Sequence, residues 1–289
     1  MQRDGAEHVT PGPAVGPPEA KRDAKAIVAA RAEIDALTGD PNFMTSLARG
    51  LAVIKAFTEQ RRKLTIAQVS QRTGIPRAAA RRCLYTLERM GYVDSDKHTY
   101  TLRPKILALG HAYLSSTPLA VSAQPVLDRV RSALNESCSL SILDGDEILY
   151  LARSAASRLI AVQLNVGSRL PAYCTAMGRV LLANLSEREL DAYLGRVELR
   201  PFVDRAVTSP AELRRLLVAA REAGYAVVDQ ELEIGLRSIA VPVRGASGAV
   251  VAAINVSVHA AHATIRQMED RFLPHLRAAS DDLGAALVP

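Results

Sequence analysis

Residues 65–91, TIAQVSQRTGIPRAAARRCLYTLERMG, hold two short helices and the turn between them. Thr65 has the chemistry of an N-cap, and Ile66 and Val69 fall on the inward side of the helix that follows. Gly74 stops that helix, because the left-handed backbone of a C-terminal cap costs glycine nothing. Pro76 opens the next, which runs to about Met90 with Ala80, Cys83, Leu84, Leu87 and Met90 on one face and Arg77, Arg81 and Arg82 on another. Two helices joined by a tight turn, the second longer and arginine-faced, form a helix-turn-helix, and the second is expected to be the recognition helix.

On the N-terminal side, Leu47, Leu51, Ile54 and Phe57 recur at helical spacing with Arg49 and Lys55 off the stripe, which predicts one more amphipathic helix. On the C-terminal side, Gly91-Tyr92-Val93 and His98 to Leu102 flank the polar turn Asp94-Ser95-Asp96-Lys97, a hairpin expected to form a wing. The domain reading is a largely disordered, proline-containing tail over 1–42, a winged helix-turn-helix over 43–105, a linker helix over 106–120 and a second domain over 121–289.

Charge follows the same division. Between Phe43 and Lys105 there are thirteen Lys or Arg against four acids, so a chain of net charge +6 concentrates its positive surplus in one short segment. A compact basic unit attached to a near-neutral one is the electrostatic footprint of a phosphate-binding module. Arg77, Arg81 and Arg82 can reach phosphates or bind guanine edges, Ala78 and Ala79 let the helix sit close in the groove, and Thr65, Lys97 and His98 complete the candidate contacts to double-stranded DNA. Absence of Trp and an aromatic content of 4% speak against single-strand binders that stack bases on exposed rings.

No stretch of about 18 uncharged apolar residues occurs, and the first residues are polar and proline-rich, so a soluble cytoplasmic protein with no membrane partner is expected. Cys83, Cys138 and Cys174 have the spacing of neither a zinc site nor a disulfide framework, and no metal, cofactor or catalytic residue is expected.

Beyond the linker, Ser137 to Leu143 and Glu147 to Arg153 flank Asp144-Gly145 as a hairpin, Ile160 to Leu164 is a further strand, and Ile239 to Val243 with Ala249 to Val258 flank a second turn. Helical patterns cover about Thr175 to Leu185, Glu187 to Leu194, Pro210 to Ala223 and His262 to Leu283. The expected class is α+β, with an antiparallel sheet flanked by helices.

Four blocks carry a resemblance: Ala67 to Ile75, Leu87 to Val93, Gly167 to Pro171 with Ala176-Met177-Gly178-Arg179, and Gly235 to Val243. In this order and spacing they resemble the IclR family of bacterial regulators, from about Phe43 to the end. The helix from Pro76 to Arg82 is similar to the branch controlling protocatechuate, 4-hydroxybenzoate and β-ketoadipate catabolism, although Ala79 stands where most of the family has Ser or Thr. The resemblance implies a GAF-like effector domain, a homodimer or homotetramer, and, in this branch, commonly an activator, with RNA polymerase a partner in that case.

The resemblance also implies an effector pocket. Ala176 and Met177 begin its lining helix, Asp229 precedes Gly235, Ser238, Asn255 and Ser257 project from adjacent strands, and Leu159 and Val162 close the apolar side. Hydroxyls, an amide and helix N-terminal amides suit a small aromatic or dicarboxylic acid. Arg169 is either a partner for the carboxylate or a surface residue of its loop. Asn255 and Ser257 share a strand face and stand or fall together. Two alternatives stay open at this point: a repressor of another carbon-source pathway, and a thiol-dependent redox sensor or enzyme in which a helix dipole activates Cys174.

Overall fold

The structure, a computed structural model, describes residues 34, 36, 37, 39–58, 61–156 and 164–287, so most of the 1–42 segment and the strand expected from Ile160 lie outside the described residues. The chain forms two compact units that meet in sequence between Tyr113 and Leu114.

In the N-terminal unit, α1 (Thr45–Lys55), α2 (Ile66–Thr73) and α3 (Arg77–Arg89) accompany a small antiparallel sheet of β1 (Leu64–Thr65), β2 (Val93–Asp96) and β3 (Thr99–Leu102), ordered β1-β3-β2. Thr65 caps α2 in a capping box: its hydroxyl accepts from the Gln68 amide at 3.2 Å while its own amide donates to Gln68 Oε1 at 2.8 Å. Gly74 ends α2 at φ +68°, and Ile75 then turns inward onto Val69, Ala80, Leu84 and Val93. A winged helix-turn-helix results.

Helix α1 is apolar on two sides, and the expected stripe is split: Ile54 and Phe57 pack partly buried against the core, whereas its first two members face outward. Ala52, Val53 and Ala56 face the core, while Leu47 and Leu51 are 59% and 48% exposed. Small side chains allow the close approach to α3 that the leucines would prevent. Met90 likewise is exposed, because α3 has ended by that residue.

Helix α4 (Leu107–Ser116) buries none of its residues, and Leu107, Leu109 and Tyr113 are exposed. The C-terminal unit is built on a six-stranded antiparallel sheet of order β6-β5-β4-β9-β8-β7, where β4 is Ser137–Asp144, β5 Glu147–Ser154, β6 Arg169–Pro171, β7 Ala226–Asp229, β8 Leu236–Arg244 and β9 Val250–His259. Helices α5 (Pro118–Leu134) and α9 (Ile265–Ala285) cover one face, packing on Cys138, Leu140, Ile239, Ile254 and Val256. Helices α6 (Ala176–Ala183), α7 (Glu187–Arg196) and α8 (Pro210–Ala223) form a second core on the other face. The sheet is therefore sandwiched, and strand alternation sends Ser137, Ser139 and Ser141 to the α6 side while Cys138 and Leu140 go to the α5 side.

Candidate nucleic-acid interface and effector cavity

On α3, Arg77, Ala78, Arg81 and Arg82 are exposed and Ala79 is half-buried, while Ala80, Leu84 and Leu87 anchor the opposite face. None of the three arginines forms an ion pair among the described residues. Other cations of this basic unit serve the fold: Arg72 Nε donates to Ala56 O at 2.9 Å, and Lys105 Nζ donates to Met90 O at 2.7 Å from above the Tyr92 ring. Beside Arg82, the exposed face of α3 carries a row at four-residue spacing, Arg77, Arg81, Tyr85 and Arg89, whose last two members the sequence reading did not include. Tyr85 is 59% exposed, and the Arg89 guanidinium lies 5.9 Å from its ring centre. The spacing itself was the available signal.

Lys97 and His98 sit exposed at the tip of the β2–β3 hairpin, with Lys97 at φ +56°. Near the tip of the hairpin, Ser95 Oγ donates to Glu88 Oε1, so the one carboxylate on α3 is engaged locally. Thr65 is half-buried and its hydroxyl is committed to the α2 cap rather than to the exposed row.

In the C-terminal unit a small, partly open cavity lies between the sheet and α6. Leu164, Met177 and Leu232 give it an apolar roof, and its floor on the sheet carries a polar cluster beside Leu170 and Leu236. Asn255 Nδ2 donates to Ser238 Oγ at 2.8 Å and to Ser257 Oγ at 2.9 Å, and the two hydroxyls are 3.3 Å apart. Asn255 Oδ1 is buried with no partner. Turning the amide over would leave Nδ2 unpaired instead, so one buried polar atom lacks a partner in either placement. Such an atom costs about 1–3 kcal/mol, and a ligand supplying the missing partner recovers it.

Ala176 and Met177 also line the cavity, both nearly fully buried at the start of α6. The helix sits there because Thr175 caps it, accepting from the Gly178 amide at 3.1 Å, and because Gly178 lets it lie against the preceding turn: a Cβ at that position would be 2.1 Å from Ala172 O. Arg179 then ties α6 to the β7–β8 connection through a buried pair with Glu231 at 2.5 Å.

Two expected pocket residues are elsewhere. Arg169 stands exposed on β6, paired with Asp144 and, at 3.4 Å, with Glu147, so its charge is already met by the β4–β5 hairpin. Asp229 receives Arg237 Nε at 2.6 Å, which holds its carboxyl below the usual range, and it is outside the cavity lining. Leu159 and Val162 fall outside the described residues. The lining residues that the sequence reading missed include Tyr150 and Arg153 of β5.

Cys174 lines the cavity but is fully buried, and burial pushes its thiol up to about 12. Near neutrality it is protonated, so the dipole activation expected of a thiol sensor is overridden by desolvation. Among the described residues there is no cluster that could hold a metal ion, and no helix long and apolar enough to cross a membrane.

Comparison with known proteins agrees with both halves of this geometry. The model of the IclR helix-turn-helix domain matches residues 46–97, and that of the bacterial transcriptional regulator IclR C-terminal domain matches residues 111–285. The Pca regulon regulatory protein of Pseudomonas putida is 58% identical over 273 residues, covering 92% of this chain and 94% of its own. The p-hydroxybenzoate hydroxylase transcriptional activator of Acinetobacter baylyi is 34% identical, covering 84% and 91%. A crystal structure of an IclR homolog complexed with 4-hydroxybenzoate, from Microbacterium hydrocarbonoxydans, superposes with a TM-score of 0.73 at 26% identity, covering 84% of this chain and 98% of that one. These relatives are regulators rather than enzymes, and the chain belongs to the IclR family of bacterial transcriptional regulators.

Proposed function

We propose that this chain is a cytoplasmic activator of aromatic-acid catabolism through the β-ketoadipate pathway, binding its operator with α3 and the wing and answering to a small aromatic or dicarboxylic acid held in the cavity. The observation that carries the effector half is the Asn255, Ser238 and Ser257 cluster, with one polar atom unpaired beneath an apolar roof. A ring or short chain fits that roof, and a carboxylate or hydroxyl completes the floor. The names of the Pseudomonas and Acinetobacter relatives, and the 4-hydroxybenzoate in the Microbacterium structure, support the pathway. In this reading residues 43–105 form the DNA-binding domain, 106–120 the linker and 121–289 the effector domain. Exposed Leu107, Leu109 and Tyr113 on α4 support assembly into a dimer reading paired half-sites, with RNA polymerase as the further partner of an activator.

The test is binding to the promoter DNA upstream of the genes adjacent to this one, followed by fluorescence anisotropy, together with transcription from that promoter. 4-Hydroxybenzoate, protocatechuate or adipate is expected to raise both the melting temperature and the transcript, and Ser238→Ala or Asn255→Ala to weaken both responses. A response to none of these acids overturns the pathway, and a transcript that falls overturns activation.

A further inference from the structure

Inside the cavity one cation has no acid. Arg153 lines the cavity, donates from Nη1 to Ser139 Oγ at 3.3 Å and forms no ion pair among the described residues. The lining residues described include no carboxylate. Burial lowers the pKa of this guanidinium, as expected when water is withdrawn from a cation and no anion takes its place. Arg179 and Arg237 of the same unit, by contrast, are answered by Glu231 and Asp229.

Register explains how Arg153 reaches the cavity. Leu140 pairs with Ala152 and Ser141 with Tyr150, so Leu151 is an extra residue in β5. In a regular strand, positions 150 and 153 face opposite sides; the bulge turns both toward the cavity. Tyr150 is 4% exposed and its hydroxyl has no hydrogen-bond partner among the described residues. The cross-strand row then runs from Arg153 through Ser139 to Asn255, so charge and amide stand two strand spacings apart, roughly 10 Å, on one floor.

We infer that Arg153 is the counter-ion for a carboxylate of the effector, with the Tyr150 hydroxyl donating to the same group and the ligand's other polar end lying on Asn255, Ser238 and Ser257. The inference rests on the effector-site reading and deepens it, because it names the charged group that the site selects. A site built this way accepts an acid and rejects its amide.

Calorimetry on the full chain with two pairs, 4-hydroxybenzoate against 4-hydroxybenzamide and adipate against adipamide, tests it. The wild-type protein is expected to prefer an acid over its amide by about a hundredfold, the scale of a desolvated charge pair. Arg153→Met removes that preference, Arg153→Lys restores part of it, and Tyr150→Phe weakens acid binding by about tenfold. Arg153→Gln, which can keep a hydrogen bond to Ser139, serves if the Met variant fails to fold. A folded neutral variant that keeps the full preference overturns the role of Arg153; if Asn255→Ala then still loses binding, the site reading survives without it. A wild-type protein that binds neither acid removes the site reading and the counter-ion together.

Discussion

Arg179, Arg214 and Arg237 in the C-terminal unit each lie against a carboxylate, whereas Arg77, Arg81 and Arg82 on α3 meet none among the described residues. The same side chain is tied into the fold where acids accompany it and left facing solvent where they do not. Net charge alone would not separate the two cases, because what matters is how many cations remain after the fold has used its own. Lys105 and Arg72, drawn back onto backbone carbonyls, show that even the basic unit spends part of its surplus internally.

The contrast breaks most readily at Arg179. Arg179→Met leaves Glu231 buried and unpaired, a loss of about 3–5 kcal/mol. At the usual scaling that lowers the melting temperature by roughly 10 °C, and a calorimetric scan within a degree of wild type would erase the distinction. Replacing both Arg81 and Arg82 with Ala should do the reverse: operator affinity falls about a hundredfold and its salt slope flattens by about two, with an unchanged melt. Thr65→Ala lies between them, costing about 1 kcal/mol through the lost cap and weakening DNA binding only as far as α2 frays. Smaller still is the acid limb. The Asp229 carboxyl is held below its unfolded value of about 3.9, so the pair with Arg237 stabilises fully above that pH and its contribution is lost as pH falls through the lower folded value. Asp229→Asn should flatten stability below about pH 4, read by chemical denaturation across that range. Arg169→Ala sharpens the comparison from the weak side: both partners of this pair are largely exposed, so the change in stability should stay under about 1 kcal/mol.

The helix-turn-helix was legible because its punctuation is local. Thr65, Gly74 and Pro76 mark the ends of α2 and the start of α3 within a dozen residues, and the uncommitted arginines lie in the same stretch. The sheet hairpins were legible for the same reason, with Gly145 at φ +66° between β4 and β5. Helix α5 was passed over although Leu119, Ala123, Val126, Leu127 and Val130 keep helical spacing; Pro118 sits in its opening turn, where proline is tolerated, and Pro125 lies inside it. The direction faced by α1 was illegible because it depends on which side chains fit against α3, a property of the pair of helices. Ser238, Asn255 and Ser257 came together as strand alternation required, but Arg153 could not be found by counting in twos, since Leu151 breaks the count. The two readings left open for Arg169 could not be separated for a related reason: Asp144 is 25 residues away in sequence and adjacent only after folding.

Asn255 sets evolution a conflict. An apolar residue of similar size would relieve its unpaired atom and make the protein more robust, at the expense, under the proposed function, of the response. Selection for thermal tolerance without an inducer should therefore erode this position early, leaving variants that fold better and no longer report what the cell is eating.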